Sequence, residues 1–121
     1  MNVKIISPDV HAEFFTPEDC WILEAWNNAS DPAVSISRAR VETGKTTKLH
    51  RLLGVTERYL IVKGTGIVCI GSLEPKAVGP GDIVIIPASE PQRIQNTGEI
   101  DLIFYCICSP RFTPECYEAL E

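Results

Sequence analysis

Positive charge is scarce in this sequence, which has 11 Lys and Arg residues against 16 Asp and Glu, a formal net charge of −5. Nucleic-acid binding depends on cationic side chains that displace counterions from phosphates, so we expect no nucleic-acid partner. Long apolar runs are also missing, since the longest, 83–87 and 102–108, fall far short of the roughly 20 residues that cross a bilayer. We therefore expect no membrane partner either.

No apolar segment of signal-peptide length follows Met1, and the five cysteines are odd in number and mostly lie within apolar runs. These features favour a cytoplasmic protein with reduced thiols over an exported disulfide framework. The composition, 45% hydrophobic and 22% charged, is typical of an ordinary globular chain, and no linker or repeat divides it. We expect one domain over residues 1–121.

Short β-branched and aromatic runs separated by glycine and proline dominate the chain from Val34 onward. This pattern is typical of an all-β sandwich or barrel. The turn sequences at 63–66, 79–82 and 96–99 contain glycine, proline or asparagine where tight turns need them, so we expect antiparallel pairing through short connections. The predicted strands are 34–41, 58–62, 67–70, 76–78, 83–86, 92–96 and 102–108.

Helix signals are confined to the two ends of the chain. Thr16 and Thr113 each precede a proline, and a capping threonine before proline at the first helical position predicts a helix start. The second signal predicts a helix over 113–121. The segment 20–26 fits either a helix or a strand, because periodicity does not discriminate between them over so short a run.

Two motifs carry the chemistry of the sequence. The first consists of Gly44, His50, Leu52, Glu57 and Gly64, separated by five, one, four and six residues. The second consists of Gly81, Pro87, Ser89, Gln92 and Asn96. Together they resemble the two motifs of the cupin superfamily over 35–108, and the resemblance is greatest to small single-domain cupins described as mannose-6-phosphate-isomerase-like.

This resemblance implies a double-stranded β-helix, or jelly-roll, barrel with minor helical ends. In the family, two histidines and a glutamate of the first motif share a metal with a histidine of the second. Here Leu52 and Gln92 stand at two of the three histidine positions, so the candidate ligands of a divalent metal are His50, Glu57 and Gln92. Losing two imidazoles weakens binding of Zn and favours Fe(II), Mn or a similar ion that keeps water ligands.

The same side chains also fit a metal-free alternative. In that case they form a hydrogen-bonded network, because a buried Glu57 carboxylate must be paired. Strand alternation from Glu57 and Gln92 defines the inward rows of a ligand pocket. The predicted pocket residues are Tyr59, Ile61, Ile94 and Asn96. The Tyr59 hydroxyl either orients a ligand or belongs to a core tyrosine.

Five other side chains have two interpretations each. Cys106 and Cys108 stand two apart on a predicted strand and share a face, either as thiolate ligands or as small buried hydrophobes; we favour the second. Arg93 and Arg111 are candidate anion contacts, although a lone arginine is more often solvated or ion-paired. His11 lies in a polar N-terminal stretch and either reaches the site of one of the subunits or is exposed; we expect it to be exposed.

Two functions remain open from the sequence. The first is a metal-assisted enzyme acting on a small polar molecule, in which the ion polarises a substrate oxygen or binds dioxygen. The second is a metal-free module that binds or senses a sugar-like or carboxylate ligand. The resemblance further implies a homodimer formed through N-terminal strands, for which 3–6 and 20–26 are the candidates.

Overall fold

A computed structural model describes residues 1–121 and shows two antiparallel sheets. The strands are β1 (Phe14–Phe15), β2 (Trp21–Trp26), β3 (Ser35–Val41), β4 (His50–Leu52), β5 (Thr56–Lys63), β6 (Gly66–Ile70), β7 (Lys76–Val78), β8 (Ile83–Ile86), β9 (Gln92–Asn96), β10 (Leu102–Ser109) and β11 (Tyr117–Ala119). One sheet has the order β1-β2-β3-β10-β5-β8 and the other β11-β4-β9-β6-β7. This jelly-roll arrangement confirms the predicted all-β barrel.

All seven predicted strands form, with ends that differ from the prediction by no more than two residues. Their burial alternates regularly because most inward side chains are apolar. In β5 every second residue from Glu57 to Ile61 is buried, and Glu57 is the one charged residue among them. The segment 20–26, left open by the sequence, forms strand β2. Strands β1, β4 and β11 were not predicted, because two or three residues are too few for a pattern that identifies a strand.

The three predicted turns form, but none of them joins paired strands. Each connects the two sheets: β5 to β6, β7 to β8, and β9 to β10. At the first turn Gly64 has φ +83°, and a Cβ there would lie 2.8 Å from the Asp101 carbonyl oxygen. The expected pairing of neighbouring strands is therefore wrong here, because a tight turn reverses the chain without deciding which sheet the next strand joins.

The predicted helix start at Thr16 is wrong, whereas the one at Thr113 is correct in position but not in capping or length. Thr113 makes no side-chain capping bond, and only the single 3₁₀ turn Pro114–Cys116 follows before β11 pairs with β4. The Thr16 hydroxyl instead donates to the Cys20 carbonyl at 2.9 Å, closing a turn that leads into β2. Strand pairing satisfies more backbone groups in these short segments than one helical turn would. A second 3₁₀ turn covers Val10–Ala12.

The main core lies between the sheets. Ile61 and Ile94 are fully buried there, and Phe104 packs against the Tyr59 ring at a centroid distance of 4.5 Å. This core does not fill the whole space between the sheets, and a cavity lies beside it. No helix of the structure is both long and apolar enough to cross a membrane.

Candidate functional site

A cavity of about 150 Å³ opens between the two sheets. A cavity of about this volume can hold a small ring such as benzene. The titratable side chains that line it are Glu18, Cys20, Glu24, His50, Glu57, Tyr59, Cys106, Cys108 and Tyr117, and no Lys or Arg lines it. The site is therefore mostly apolar, with acidic groups and one imidazole.

His50 lies in β4, opposite Gln92 of β9, and is 6% exposed. Its Nδ1 lies 2.7 Å from the Lys48 carbonyl oxygen, which can only accept a hydrogen bond, so Nδ1 carries the proton. In the neutral imidazole Nε2 then holds a lone pair, and it has no hydrogen-bond partner in the protein. The ring is also stacked on Tyr117 at 5.3 Å. His50 is thus fixed in orientation and presents an acceptor.

Glu57 lies in β5, opposite Cys108 of β10, and is 7% exposed. Its Oε2 accepts only a weak bond from the Cys108 thiol at 3.8 Å, and its buried Oε1 has no hydrogen-bond partner. Burial raises the pKa of Glu57, against smaller lowering effects of Gln92 and His50. A buried carboxyl with an unpartnered oxygen is costly to a fold, which is why such groups concentrate at functional sites.

Gln92 differs from the other two predicted metal ligands. Its amide oxygen accepts a hydrogen bond from the Tyr59 hydroxyl, and Gln92 does not line the cavity. Nowhere in the structure are three His, Cys, Asp or Glu side chains placed so that they could hold one ion. The donor set therefore does not fit a metal held by His50, Glu57 and Gln92, because Gln92 does not line the cavity that His50 and Glu57 line.

Glu18, which the sequence analysis missed, borders the same cavity. Its Oε2 lies 3.0 Å from Nδ1 of His50, but that N–H is directed at the Lys48 carbonyl, so Oε2 is buried without a hydrogen-bond partner. Burial raises the pKa of Glu18, opposed by the nearby His50. The backbone N–H of Lys48 donates to the Glu18 carbonyl at 3.1 Å, which ties this turn to the strand that carries His50.

A family comparison identifies the fold. Residues 37–108 match the model of the cupin domain. The chain belongs to the cupin family. An uncharacterized protein of Methanocaldococcus jannaschii is 33% identical to this cupin over 87 residues, which is 72% of this chain and 69% of that protein.

Solved structures agree with this cupin in fold. A variant of Streptomyces PAC13 with uridine has a TM-score of 0.79 at 16% identity, covering 98% of this chain and 93% of that one. PAC13 is described as a nucleoside dehydratase. KdgF from Halomonas sp. has a TM-score of 0.77 at 16% identity, covering 90% of this chain and 96% of that one. At such low identity these structures establish the architecture only.

The four residues predicted to form a ligand pocket of this cupin do not all lie at the cavity. Tyr59 lines the cavity, whereas Ile61, Ile94 and Asn96 do not. Ile61 and Ile94 are wholly enclosed in the core. The Asn96 amide donates to the carbonyl oxygens of Val41 and Ile100, each at 2.9 Å. Alternation correctly predicted which side chains point inward, but inward positions beyond the cavity belong to packed core.

Thiols form part of the cavity wall of this cupin. Cys106 and Cys108 share the inward face of β10, opposite Tyr59 and Glu57 of β5, and Cys20 lies on the same wall. Burial raises the pKa of Cys20 to about 12 and raises those of Cys106 and Cys108 well above the usual range. All three are therefore protonated thiols at neutral pH, which favours the apolar interpretation over thiolate ligands.

The remaining candidate residues lie outside the cavity of this cupin. His11 is exposed in the first 3₁₀ turn. The Arg111 guanidinium donates to the Asn27 side-chain oxygen at 2.9 Å, and Arg93 lines a separate surface depression. Neither arginine is an anion contact in this site, so the cavity offers no fixed positive charge from Lys or Arg to a ligand.

Proposed function

We propose that this cupin binds a small polar organic molecule in the cavity directly through its side chains, without a metal held by the protein. One observation carries the proposal: His50 Nε2 and Glu57 Oε1 belong to the wall of the same cavity of about 150 Å³ and have no hydrogen-bond partners. A buried polar atom without a partner, such as Glu57 Oε1, lowers stability by roughly 1–3 kcal/mol. A ligand that pairs with it offsets this cost.

The size and lining of the cavity limit the ligand class. A ring of about six atoms with one or two polar groups fits the volume and the mainly apolar wall. A phosphate or carboxylate would meet Glu18 and Glu57 with no Lys or Arg to balance the charge. For this reason we do not extend the mannose-6-phosphate-isomerase-like description to the ligand of this chain.

A second candidate function is proton-transfer catalysis at His50. Its Nδ1–H is held by the Lys48 carbonyl, which leaves Nε2 as the basic nitrogen facing a bound molecule. The similarity of the fold to the nucleoside dehydratase PAC13 supports this candidate, because removing water from a substrate involves proton transfer. In this chain, His50 would act as the base.

Ligand binding is tested with cyclohexanol, whose ring fits the cavity and whose single hydroxyl can donate and accept. It is titrated in the presence of EDTA and followed by ¹H–¹⁵N NMR. We expect shift changes at cavity residues, and binding weakened about fivefold or more by His50→Gln and Glu57→Gln, the loss of a typical ligand hydrogen bond. Glu74→Gln, at an exposed position, is the matched control and leaves binding unchanged.

Other outcomes separate the alternatives. Binding that requires added Fe(II), Mn or Zn, and that disappears with EDTA, would overturn the metal-free proposal. Absence of shift changes at the cavity in all conditions would contradict ligand binding there. Catalysis is tested with cyclohexanone in D₂O, where His50 is expected to accelerate deuterium exchange at the carbons beside the carbonyl and His50→Gln to abolish the acceleration.

A further inference from the structure

The charges around the cavity are one-sided. Three carboxyl side chains line it, those of Glu18, Glu24 and Glu57, and no Lys or Arg does. Two of them, Glu18 and Glu57, are largely buried, while Glu24 is exposed at the surface of β2. In most proteins a buried carboxylate pairs with a cation or accepts several hydrogen bonds. His50 carries the one imidazole that lines the cavity beside Glu18 and Glu57.

That imidazole does not satisfy either carboxyl. The Nδ1–H of His50 is directed at the Lys48 carbonyl, and the structure leaves Glu18 Oε2 and Glu57 Oε1 buried without partners. The two groups are close enough for the charge of Glu18 to raise the pKa of Glu57, an effect added to that of burial.

We propose that the natural ligand of this cavity carries a protonated amine, which binds at the carboxyls of Glu18 and Glu57. The inference rests on the proposed function, because it requires a small molecule to enter the same cavity. An ammonium group donates up to three hydrogen bonds, enough to pair with both free carboxyl oxygens. Its positive charge balances the negative charge of the carboxylates.

The apolar wall favours the same ligand class. Tyr59, Phe104, Phe112 and Tyr117 all line the cavity, and aromatic faces attract cations while packing against the carbon skeleton of an amine. A neutral alcohol would gain the apolar contacts but only neutral hydrogen bonds, which are roughly half as strong as charge-assisted ones. A carboxylate would be repelled by both glutamates.

A matched series of probes isolates the ligand charge. Cyclohexylamine, cyclohexanol and cyclohexanecarboxylate have the same ring and are positive, neutral and negative at pH 7. Each is titrated into the full chain at 0.15 M and 0.5 M NaCl and followed by ¹H–¹⁵N NMR. We expect the amine to bind about tenfold tighter than the alcohol, a difference of about 1.4 kcal/mol, and the carboxylate to bind weakest.

Substitution of each carboxyl side chain tests whether Glu18 and Glu57 cause the preference for the amine. Glu18→Gln and Glu57→Gln keep the size of each side chain and are each expected to reduce the preference for the amine over the alcohol about threefold or more. Glu74→Gln removes the same charge from an exposed position and is expected to keep the preference. The ¹H–¹⁵N spectrum of each variant establishes that it folds. High salt suppresses general attraction to a chain of net charge −5 but not contacts inside the cavity.

The outcomes separate this inference from the proposed function. If the alcohol binds in the cavity as tightly as the amine, or if Glu18→Gln and Glu57→Gln both leave the preference intact, the ammonium site is wrong and the cavity remains a binding site. If none of the three probes shifts cavity resonances, both proposals are overturned.

Discussion

The hydroxyl of Tyr59 donates a hydrogen bond to the side-chain amide oxygen of Gln92. This bond joins β5 of one sheet to β9 of the other, and both residues are almost fully buried. The Gln92 oxygen that accepts this bond is the atom that the sequence motif predicted as a metal ligand. The two residues therefore form a structural link between the sheets beside the cavity.

Removal of this link is expected to destabilise the fold. Tyr59→Phe leaves the Gln92 oxygen buried and unpaired, so the free energy of unfolding should fall by about 1–2 kcal/mol. Gln92→Leu should have a similar effect, while the double variant should lose about 1 kcal/mol less than the sum. Urea unfolding of all four proteins measures the coupling. If the loss of unfolding free energy in the double variant equalled the sum of the two single losses, the result would contradict a hydrogen bond between Tyr59 and Gln92.

The raised pKa of Glu57 predicts an unusual dependence of stability on pH. Because the folded chain binds this proton more tightly than the unfolded chain does, Glu57 contributes stability below about pH 4.5 that is lost as pH rises toward its folded pKa. Glu57→Gln keeps the shape without the charge. Its free energy of unfolding should therefore rise relative to the wild type between pH 5 and pH 8.

Denaturant unfolding at pH 5, 6, 7 and 8 checks this prediction, with Glu74→Gln as the control for loss of one charge. Each unit of pKa shift corresponds to about 1.4 kcal/mol, so even a modest shift is measurable. A difference between wild type and Glu57→Gln that stays constant over this range would show that Glu57 titrates normally.

Asn96 is expected to support the fold and not the ligand. Its side chain donates to two backbone carbonyls and accepts from the Gly98 N–H at 2.9 Å, fixing the turn before β10. Asn96→Ala leaves these buried groups unpaired and should lower the free energy of unfolding by about 2–4 kcal/mol. Cyclohexanol binding to the folded variant should match that of the wild type. If Asn96→Ala bound cyclohexanol more weakly but unfolded with the same free energy as the wild type, Asn96 would belong to the ligand pocket and not to the support of the fold.

A homodimer remains our proposal for the N-terminal segment. Val3 and Ile5 are 97% and 91% exposed, and apolar side chains so exposed favour a contact with another surface. Strand β2, in the other predicted segment, already pairs with β1 and β3. We expect light scattering to give a dimer for the wild type and a monomer for the double variant Val3→Ser, Ile5→Ser.

A second exposed apolar surface allows a matched comparison. Ile83 and Ile85 of the edge strand β8 are 64% and 66% exposed. The double variant Ile83→Ser, Ile85→Ser should remain dimeric if the N-terminal segment forms the interface. A monomer from this variant, with a dimer from the N-terminal one, would place the interface on β8. A monomeric wild type at micromolar concentration would refute the dimer altogether.

The sequence by itself determined seven of the eleven strands of the barrel and the inward direction of their side chains. Alternating residues can bury one face only, so Glu57 and Tyr59 had to point into the barrel once β5 formed. The glycine turns were equally local, because a positive φ such as the +83° of Gly64 favours glycine.

Only the tertiary structure decided which inward groups meet. Glu18 reaches His50 from a turn far away in the sequence, and Tyr59 engages Gln92 from the opposite sheet, and no local pattern encodes either distance. The predicted helix over 113–121 did not form beyond one 3₁₀ turn, because the residues of β11 pair with the edge of β4. Sequence periodicity reports which face of an element is buried, whereas the contacts on that face depend on how the two sheets pack.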